Sequence, residues 1–152
     1  MDIEAELIIA GKLLLAMVLG CLVGLDRERE QRNIGVRTFG GISLAACLFV
    51  AIAAHLTEDK SAIARMLSAI ATGLGFIGAG LIFKDSESSP KGLTTAAGLW
   101  ATAAVGAAVA LNMFLLACIA ALLIFILLGI NRYKWYRDLI SKISSKSTSR
   151  ED

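Results

Sequence analysis

Long stretches without a charged residue constrain this chain more than any other feature of its sequence. The longest lies between Lys91 and Arg132 and holds 40 residues. A helix that spans a bilayer needs about 20 mainly apolar residues, so this stretch is long enough to cross twice. Two shorter uncharged runs precede it, and the first apolar segment carries one charge, Lys12. The sequence therefore predicts an all-α, polytopic integral membrane protein with five transmembrane helices, at about 7–25, 38–56, 66–83, 93–111 and 113–130.

Composition separates this chain from soluble and nucleic-acid-binding proteins. Of its 152 residues, 57% are hydrophobic, against roughly 45–50% in soluble domains. A soluble bundle of buried helices is the alternative, but a fold of this size has too little interior for so much apolar surface. The net charge of +2 is too small to indicate nucleic acid as a partner. The acidic start at Asp2, Glu4 and Glu6 is unlike a signal peptide, so we expect the first helix to be retained.

The distribution of basic residues predicts which way the helices run. Loops on the inner side of a membrane are enriched in Lys and Arg. With the N-terminus outside, twelve of the fifteen basic residues lie on the inner side, and Lys12, Lys60 and Arg65 remain for the outer side. The opposite orientation places most of the charge outside. The sequence therefore predicts an N-out, C-in protein, with Lys12 extending outward to the membrane surface.

The segment after the fifth helix differs in character from the helices. Tyr133, Trp135 and Tyr136 are aromatic residues of the kind found at membrane interfaces. Apolar residues then recur at helical spacing as far as Ile143, with basic residues beside that stripe. This pattern is typical of an anchor on an anionic lipid surface, or of a docking surface for another protein. We predict a transmembrane domain over 1–131, an interfacial amphipathic basic helix over 132–143 and a polar disordered tail over 144–152.

A glycine motif in the third apolar segment invites an enzymatic interpretation. Gly73, Gly75 and Gly78 spell G-x-G-x-x-G, the pattern of dinucleotide-binding loops. Such a loop follows a strand and opens a helix, with an acidic residue about 20 positions later. Here the glycines lie inside a segment long enough to cross a membrane, and no acidic residue follows at that distance. The sequence also lacks a Ser/His/Asp or Cys/His arrangement, so we expect neither a cofactor nor an enzyme.

Small residues at helical spacing give these glycines a different interpretation. Ala71, Gly75 and Ala79 repeat every four residues, and Gly20 and Gly24 form G-x-x-x-G in the first helix. Such spacing lets helix backbones approach closely in a membrane. We expect helices 1, 3 and 4 to form the centre, with close contacts within one chain or between copies of it. The predicted helix-packing residues are Gly20, Gly24, Gly75, Gly78 and Ala79.

Two parts of the sequence resemble each other. GVRTFGGI, at 35–42, aligns without gaps with GLTTAAGL, at 92–99, and LGCLVG, at 19–24, resembles LGFIGA, at 74–79. Each pair comprises a helix going inward, an inner loop and a helix coming out. Our hypothesis is a parallel repeat, in which helices 1–2 and 3–4 are related by an axis along the membrane normal.

The densest polar feature is the first inner loop, GLDREREQRNIGVRT. Asp26 directly follows an apolar run and therefore sits at the bilayer boundary. One interpretation is a solvated, self-paired loop in which Glu28 and Arg32 pair at i and i+4. The other is that Asp26 and Arg37 turn inward and pair beneath the bundle, because charges near the membrane core are costly unless paired. Such a pair could line a cation or proton path, or brace a partner site.

Oxygen-bearing side chains on the inner side raise the questions of a metal site and of a helix cap. Magnesium prefers oxygen ligands and keeps much of its water, and Asp26, Glu28 and two threonine hydroxyls could supply some. The sequence leaves metal binding open, because one carboxylate cluster competes here with four arginines. The two threonines, Thr94 and Thr95, follow a Pro-Lys-Gly sequence. We expect one of them to cap the fourth helix, with anion binding at that helix start as the alternative.

Four motifs follow one another along the chain: GCLVGLDRERE, GVRTF, GLGFIGAGLIF and GLTTAAGLWATAAVG. In this order they resemble the membrane domain of the MgtC/SapB family of bacterial inner-membrane proteins, over about residues 10–130. Asp26 stands where the family often has Glu, and longer members also carry a soluble C-terminal domain. Carried across by position, the motif residues of this chain are Asp26, Arg27, Glu28, Arg37, Thr38, Thr94, Thr95 and Trp100.

The resemblance implies a protein of the bacterial cytoplasmic membrane connected with magnesium limitation, acid tolerance and, in pathogens, survival inside host cells. Some family members are thought to modulate other membrane machines, including the ATP synthase, instead of moving magnesium. We therefore expect a small regulatory protein in the lipid bilayer that binds a membrane-protein partner or a second copy of itself. The alternative is a transporter or channel for Mg²⁺ or protons whose path passes Asp26 and Arg37.

Overall fold

The computed structural model describes residues 3–29, 34–83 and 92–130, and every regular element in these ranges is helical. This confirms the predicted all-α class with five helices. The predicted interfacial helix at 132–143 and tail at 144–152 lie outside the described residues. The helices are α1 (Ile3–Arg29), α2 (Val36–Leu56), α3 (Lys60–Phe83), α4 (Leu93–Ala110) and α5 (Phe114–Gly129).

Three helices extend beyond the apolar segments that predicted them, most clearly at both ends of α1 and at the start of α3, whereas α4 and α5 end slightly inside theirs. Backbone hydrogen bonding depends little on side-chain polarity, so a helix continues through polar residues at the membrane surface. Glu4 and Glu6 lie in the first turn of α1, where the positive end of the helix dipole favours acidic side chains. Counting uncharged residues therefore located all five helices but underestimated the lengths of α1, α2 and α3.

The outer surface of the bundle is apolar, as a lipid environment requires. Among the described residues, four helices are long and apolar enough to cross a membrane, and α5 is apolar but shorter. With 16 residues, α5 spans about 24 Å. Phe76 is 84% exposed, and Leu115 and Leu123 are also largely exposed. Soluble proteins rarely present large contiguous apolar surfaces, so the chain is a multi-pass membrane protein and not a soluble bundle.

The packed centre consists of α1, α2, α4 and α5. Helix α4 contacts each of the other four helices, whereas α3 contacts only α2 and α4 within the described ranges. The buried share of the span is 6% for α3, against 28% for α1, 44% for α2 and 50% for α4. The expectation that helices 1, 3 and 4 form the centre is therefore wrong, because α2 takes the place assigned to α3. The spacing of small residues indicates that a helix can pack closely, but not which helix it meets.

Glycines bring α1, α2 and α4 into close contact around Ser43. A Cβ atom added at Gly20 would lie 2.7 Å from the Cβ of Ser43, and one added at Gly106 would overlap the Ser43 carbonyl oxygen. One helical turn along α1, a Cβ at Gly24 would lie 2.8 Å from the Cα of Val36. These three glycines set the distances between the central helices.

A three-residue turn over 111–113 joins α4 to α5. Asn112 has a φ of 61°, in the left-handed region that Asn adopts more readily than most residues. The N–H groups of Asn112 and Met113 donate to the carbonyls of Val109 and Ala108 at 3.1 and 2.9 Å. The turn reverses the chain and returns α5 toward the inner side, where α1 also ends.

Candidate functional site at the inner helix ends

Two consecutive charged residues are buried at the inner end of α1. Asp26 is 3% exposed and Arg27 is 4% exposed. Charged side chains are almost never buried to this degree unless their charges are compensated. Both residues lie against the last residues of α5, so their surroundings can be described from that helix.

Arg27 contacts the carboxyl end of α5. Its guanidinium donates a short hydrogen bond to the carbonyl of Leu128, one residue before α5 ends. The last carbonyls of a helix have no partner within the helix, and the negative end of the helix dipole attracts a cation. Arg27 therefore satisfies one of these groups while placing its own charge favourably.

Asp26 lies beside the same helix end. A Cβ atom added at Gly129, the last residue of α5, would be 3.2 Å from the Oδ2 atom of Asp26. A side chain at that position would crowd the carboxylate, so glycine lets α5 end close against α1. The backbone of α5 therefore ends against two side chains of α1, one acidic and one basic.

Glu28 contacts a different helix. Its Oε2 atom accepts a hydrogen bond of 2.9 Å from the N–H of Val36, the first residue of α2. The N-cap residue of α2, Gly35, has no side chain to supply this contact. A carboxylate at a helix start satisfies an unpaired N–H and is favoured by the positive end of the dipole. Glu28 thus caps α2 from the preceding helix; Arg32, with which it was expected to pair, lies outside the described residues.

The tripeptide Asp26-Arg27-Glu28, which we call the inner brace, connects the inner ends of α1, α2 and α5. Arg27 and Glu28 each place a charge at a helix end of opposite polarity, whereas the Asp26 carboxylate lies beside the carboxyl end of α5. Arg37 and Thr38 are both exposed in the first turn of α2. The expectation that Arg37 turns inward beneath the bundle is therefore wrong: it points away, and Arg27 is the buried basic residue.

The fourth motif is positioned differently from the prediction. Gly92 is the N-cap of α4, with a left-handed φ of 99°, and no side chain forms a cap hydrogen bond there. Thr94 is exposed and Thr95 is half-buried within the first turn, so neither threonine caps α4. A glycine ends the inner loop because a non-glycine residue would be strained at this φ. Trp100 lies further along α4 and donates from Nε1 to the carbonyl of Ala71 in α3, at 3.2 Å.

The predicted helix-packing residues divide into two groups. Gly20 and Gly24 lie in the close contacts with α2 described above. In α3, Gly75 has no neighbouring atom within 4 Å of an added Cβ, and Gly78 has only the Cβ of Ala96 at 3.5 Å. Ala79 is exposed. Close packing of Gly75 and Ala79 against another chain therefore stays a prediction.

The repeat hypothesis also stays a prediction. The required pairs, α1 with α2 and α3 with α4, are both in contact. Their packing differs, because Gly20 meets α2 closely whereas an added Cβ at the aligned Gly75 meets no described atom within 4 Å. Gly78, three positions along, is the glycine of α3 that lies against α4.

Four important residues were not singled out from the sequence. Ser43 and Gly106 form the contact between α2 and α4, and Leu128 and Gly129 form the contact with the inner brace. Gly106 lies in a part of α4 that is rich in alanine and glycine, a composition that favours close packing but indicates no partner. Gly129 is the last residue of a helix made mainly of bulky apolar residues, and this local change in residue size was the available signal.

The polar side chains inside the bundle are few and separate. At the outer end, Lys12 is half-buried and donates to the carbonyl of Ala110, the last residue of α4, at 3.1 Å. The contact places its ammonium group at a helix end, and its extension to the membrane surface stays a prediction. Ser43 and Thr102 are fully buried, and Thr102 donates to the Gly98 carbonyl of its own helix at 2.8 Å. Within residues 3–29, 34–83 and 92–130, no cluster of three or more His, Cys, Asp or Glu residues could hold a metal ion.

Comparison with known proteins agrees with the order of the motifs. Residues 13–134 match the profile of a family described as the MgtC family. Protein SrpB of Synechococcus elongatus is 36% identical over 135 residues, which cover 81% of this chain and 73% of SrpB. Protein MgtC of Salmonella typhimurium is 37% identical over 112 residues, which cover 74% of this chain and 47% of MgtC.

A further relative shows the same partial coverage. An uncharacterized protein of Haemophilus influenzae is 34% identical over 129 residues, covering 80% of this chain and 54% of that protein. The chain thus spans about half the length of this relative and of MgtC, and more of SrpB. No solved structure matches this chain.

Proposed function

The chain belongs to the MgtC family, and from this we propose that it is a small regulatory protein that binds another membrane protein through its inner face. The motifs shared with the MgtC/SapB family support a role in magnesium limitation or acid stress. They also support a role in virulence where the bacterium is a pathogen. They also support a location in the bacterial cytoplasmic membrane. The proposal assigns no catalytic role to any residue.

The observation that carries this proposal is that some inner charged residues bind helix ends while others are exposed. The inner brace is occupied with helix ends: Arg27 binds the Leu128 carbonyl and Glu28 binds the Val36 N–H. Arg37 and Thr38 are exposed directly beside it. A rigid base with an exposed basic and hydroxyl-bearing edge suits recognition of an acidic surface on a partner.

The transporter alternative receives less support from the interior of the bundle. A cation or proton path needs polar groups or water along its length. Between Lys12 at the outer end and the inner brace, the buried polar side chains in the described ranges are Ser43 and Thr102. Glycine contacts around Ser43 leave little space between α1, α2 and α4. These features favour a binding function.

The test is a gentle pull-down of tagged protein from native membranes. We expect one membrane protein to copurify with the wild type and to be lost from Arg37→Ala, because this change removes an exposed charge and leaves the packing intact. Lys60→Ala is the matched control, since Lys60 is an exposed basic residue at the start of α3 on the opposite side. It should retain the partner.

Two results would contradict the proposal. One is the absence of any copurifying membrane protein while wild type and variants are equally stable. The other is flux of Mg²⁺ or protons into proteoliposomes that contain only purified protein, abolished by Asp26→Asn. The second result would establish the transporter alternative.

A further inference from the structure

Helix α3 is held to the rest of the bundle by few contacts. Only 6% of its membrane-spanning part is buried, although it has 24 residues. Its glycines Gly73, Gly75 and Gly80 would have no atom within 4 Å of an added Cβ. By contrast, the glycines of α1 and α4 that face Ser43 lie in tight contacts. In a membrane, packing contacts provide much of the attraction between helices. Because larger shares of α1, α2 and α4 are buried, α3 is more weakly attached than these three helices.

Two open grooves flank α3. The larger, of about 410 Å³, lies between α2 and α3 and is lined by apolar side chains such as Ala45, Phe49, Met66 and Ala69. The smaller, of about 190 Å³, lies between α3 and α4 beside Trp100. The side chains that line these grooves lack the dispersion contacts that packed neighbours would supply. Helix α3 therefore has room to change its distance from α2.

One side-chain hydrogen bond links α3 to another helix in the part of the chain that the structure describes. Trp100 donates from Nε1 to the carbonyl of Ala71 at 3.2 Å. The indole N–H is a donor only, and in a membrane it has no water to bind. Trp100 is 53% exposed, so this bond, more than burial of its ring, determines where the side chain lies. Further along α3, Gly78 meets Ala96 of α4 at van der Waals distance.

We propose that α3 is a movable helix, that it pivots on its contact with α4, and that Trp100 is the latch that holds it in the present position. The motion changes the width of the groove between α2 and α3 while α1, α2, α4 and α5 stay packed. Shifts of a transmembrane helix of this kind occur on the microsecond to millisecond timescale. A partner or lipid that prefers one position of α3 would shift the population of the two.

The test measures distances between spin labels in lipid nanodiscs. Labels are attached through a ketone-bearing unnatural residue, so the native cysteines remain. One pair joins Leu22 in α1 to Ala79 in α3, and the reference pair joins Leu22 to Ala97 in α4; all three positions are exposed. We expect a broader distance distribution for the α1–α3 pair than for the α1–α4 pair, because only α3 moves.

Three variants distinguish an effect of the Trp100 hydrogen bond from a nonspecific weakening of helix packing. Trp100→Phe keeps an aromatic ring but removes the N–H, and should shift the mean α1–α3 distance by about 2 Å, the scale of helix shifts between packed states. Ala69→Leu fills the larger groove and should narrow the distribution. Phe76→Leu, a change of aromatic residue on the lipid-facing side of α3, should leave it unchanged. Equal widths for the two wild-type pairs, no effect of Trp100→Phe or Ala69→Leu, or an equal effect of Phe76→Leu would overturn the proposal.

Discussion

At the residue scale, the position of Ser43 shows how glycine sets the spacing of transmembrane helices. Gly20 of α1 and Gly106 of α4 face this one residue of α2 from two sides. Lipid tails are as apolar as the side chains they replace, so burial of apolar surface gives little driving force between helices. Close backbone contact supplies dispersion and weak Cα–H hydrogen bonds instead. A methyl group at either glycine would remove that contact.

The first prediction concerns Gly106. Gly106→Ala places a methyl group on the Ser43 carbonyl oxygen, so α2 and α4 must separate. We expect the free energy of unfolding to fall by about 1–3 kcal/mol, the usual cost of overpacking. Unfolding by SDS from mixed micelles measures the change. Gly41→Ala is the control, because an added Cβ there meets no atom within 4 Å. Equal stability of the two variants would refute the role assigned to Gly106.

The second prediction concerns Arg27. Arg27→Met keeps an apolar stem of similar shape but removes the guanidinium that binds the Leu128 carbonyl. Hydrogen bonds that involve a charged group contribute about 1.5–3 kcal/mol, and we expect a loss of this size in the same unfolding assay. Arg37→Met makes the same change at an exposed position ten residues away. It should alter stability little, and a similar loss in both variants would argue against the inner brace.

At the element scale, the starts of α2, α3 and α4 differ from one another. The start of α2 is capped by Glu28 of the preceding helix, whereas α4 follows the left-handed Gly92 and has no side-chain cap. Helix α3 uses Asp59, whose Oδ1 accepts the N–H of Ser61 at 2.8 Å and whose Oδ2 accepts the Ser61 hydroxyl at 2.5 Å. These bonds, the hydroxyl first, lower the pKa of Asp59 from its usual 3.8. The guanidinium of Arg65 also lies near this carboxylate, with its Nη2 atom 3.6 Å from Oδ2 of Asp59.

The third prediction follows from this lowered pKa. Because the pKa of Asp59 is lower in the folded than in the unfolded protein, the stabilisation is complete above the usual value of 3.8. It is lost as the pH falls through the lower folded value. Thermal unfolding from pH 7 to pH 3 should show wild type more stable than Asp59→Asn at neutral pH, with the difference shrinking below about pH 4. Glu58→Gln, an exposed neighbouring change, should follow the wild type. A difference that is constant with pH would contradict the assignment.

At the scale of the whole molecule, polar contacts lie at the two ends of the bundle and glycine contacts lie between them. Lys12 binds the last carbonyl of α4 at the outer end. Arg27 and Glu28 bind helix ends at the inner end. Unpaired backbone groups occur at helix ends, so polar side chains are most useful there. The same arrangement keeps charge away from the middle of the bilayer, where it is most costly.

The fourth prediction is the orientation. Twelve of the fifteen basic residues lie on the inner side only if the N-terminus is outside, and positive loops are retained in the cytoplasm. A fluorescent protein fused after Ile130 should fluoresce, and alkaline phosphatase at the same point should be inactive. The same reporters inserted between α2 and α3, at 57–59, serve as the control and should give the reverse result. Active phosphatase after Ile130 would show that the orientation is inverted.

Much of the fold could be predicted because helix formation in a membrane is a local requirement. Each uncharged segment must satisfy its own backbone hydrogen bonds in lipid, and this does not depend on its neighbours. The five helices therefore followed from the order of residues, and the functional role of Asp26, Arg27 and Glu28 stays a prediction. The close approach at Gly20 and Gly24 was also foreseeable, because a G-x-x-x-G pair leaves a flat helix face wherever it occurs.

The sequence by itself determined that this chain forms five apolar helices with a charged inner loop. Only the tertiary structure decided which helices meet. Gly75 and Gly20 have the same local pattern, yet Gly20 contacts α2 closely and Gly75 has no described atom within 4 Å of an added Cβ. Arg27 and Arg37 are both inner arginines, yet only Arg27 reaches the end of α5, a helix 101 residues further along the chain. A contact between helices forms only where two surfaces fit each other. A local sequence pattern describes one surface alone, so which helices meet depends on all the possible helix pairs.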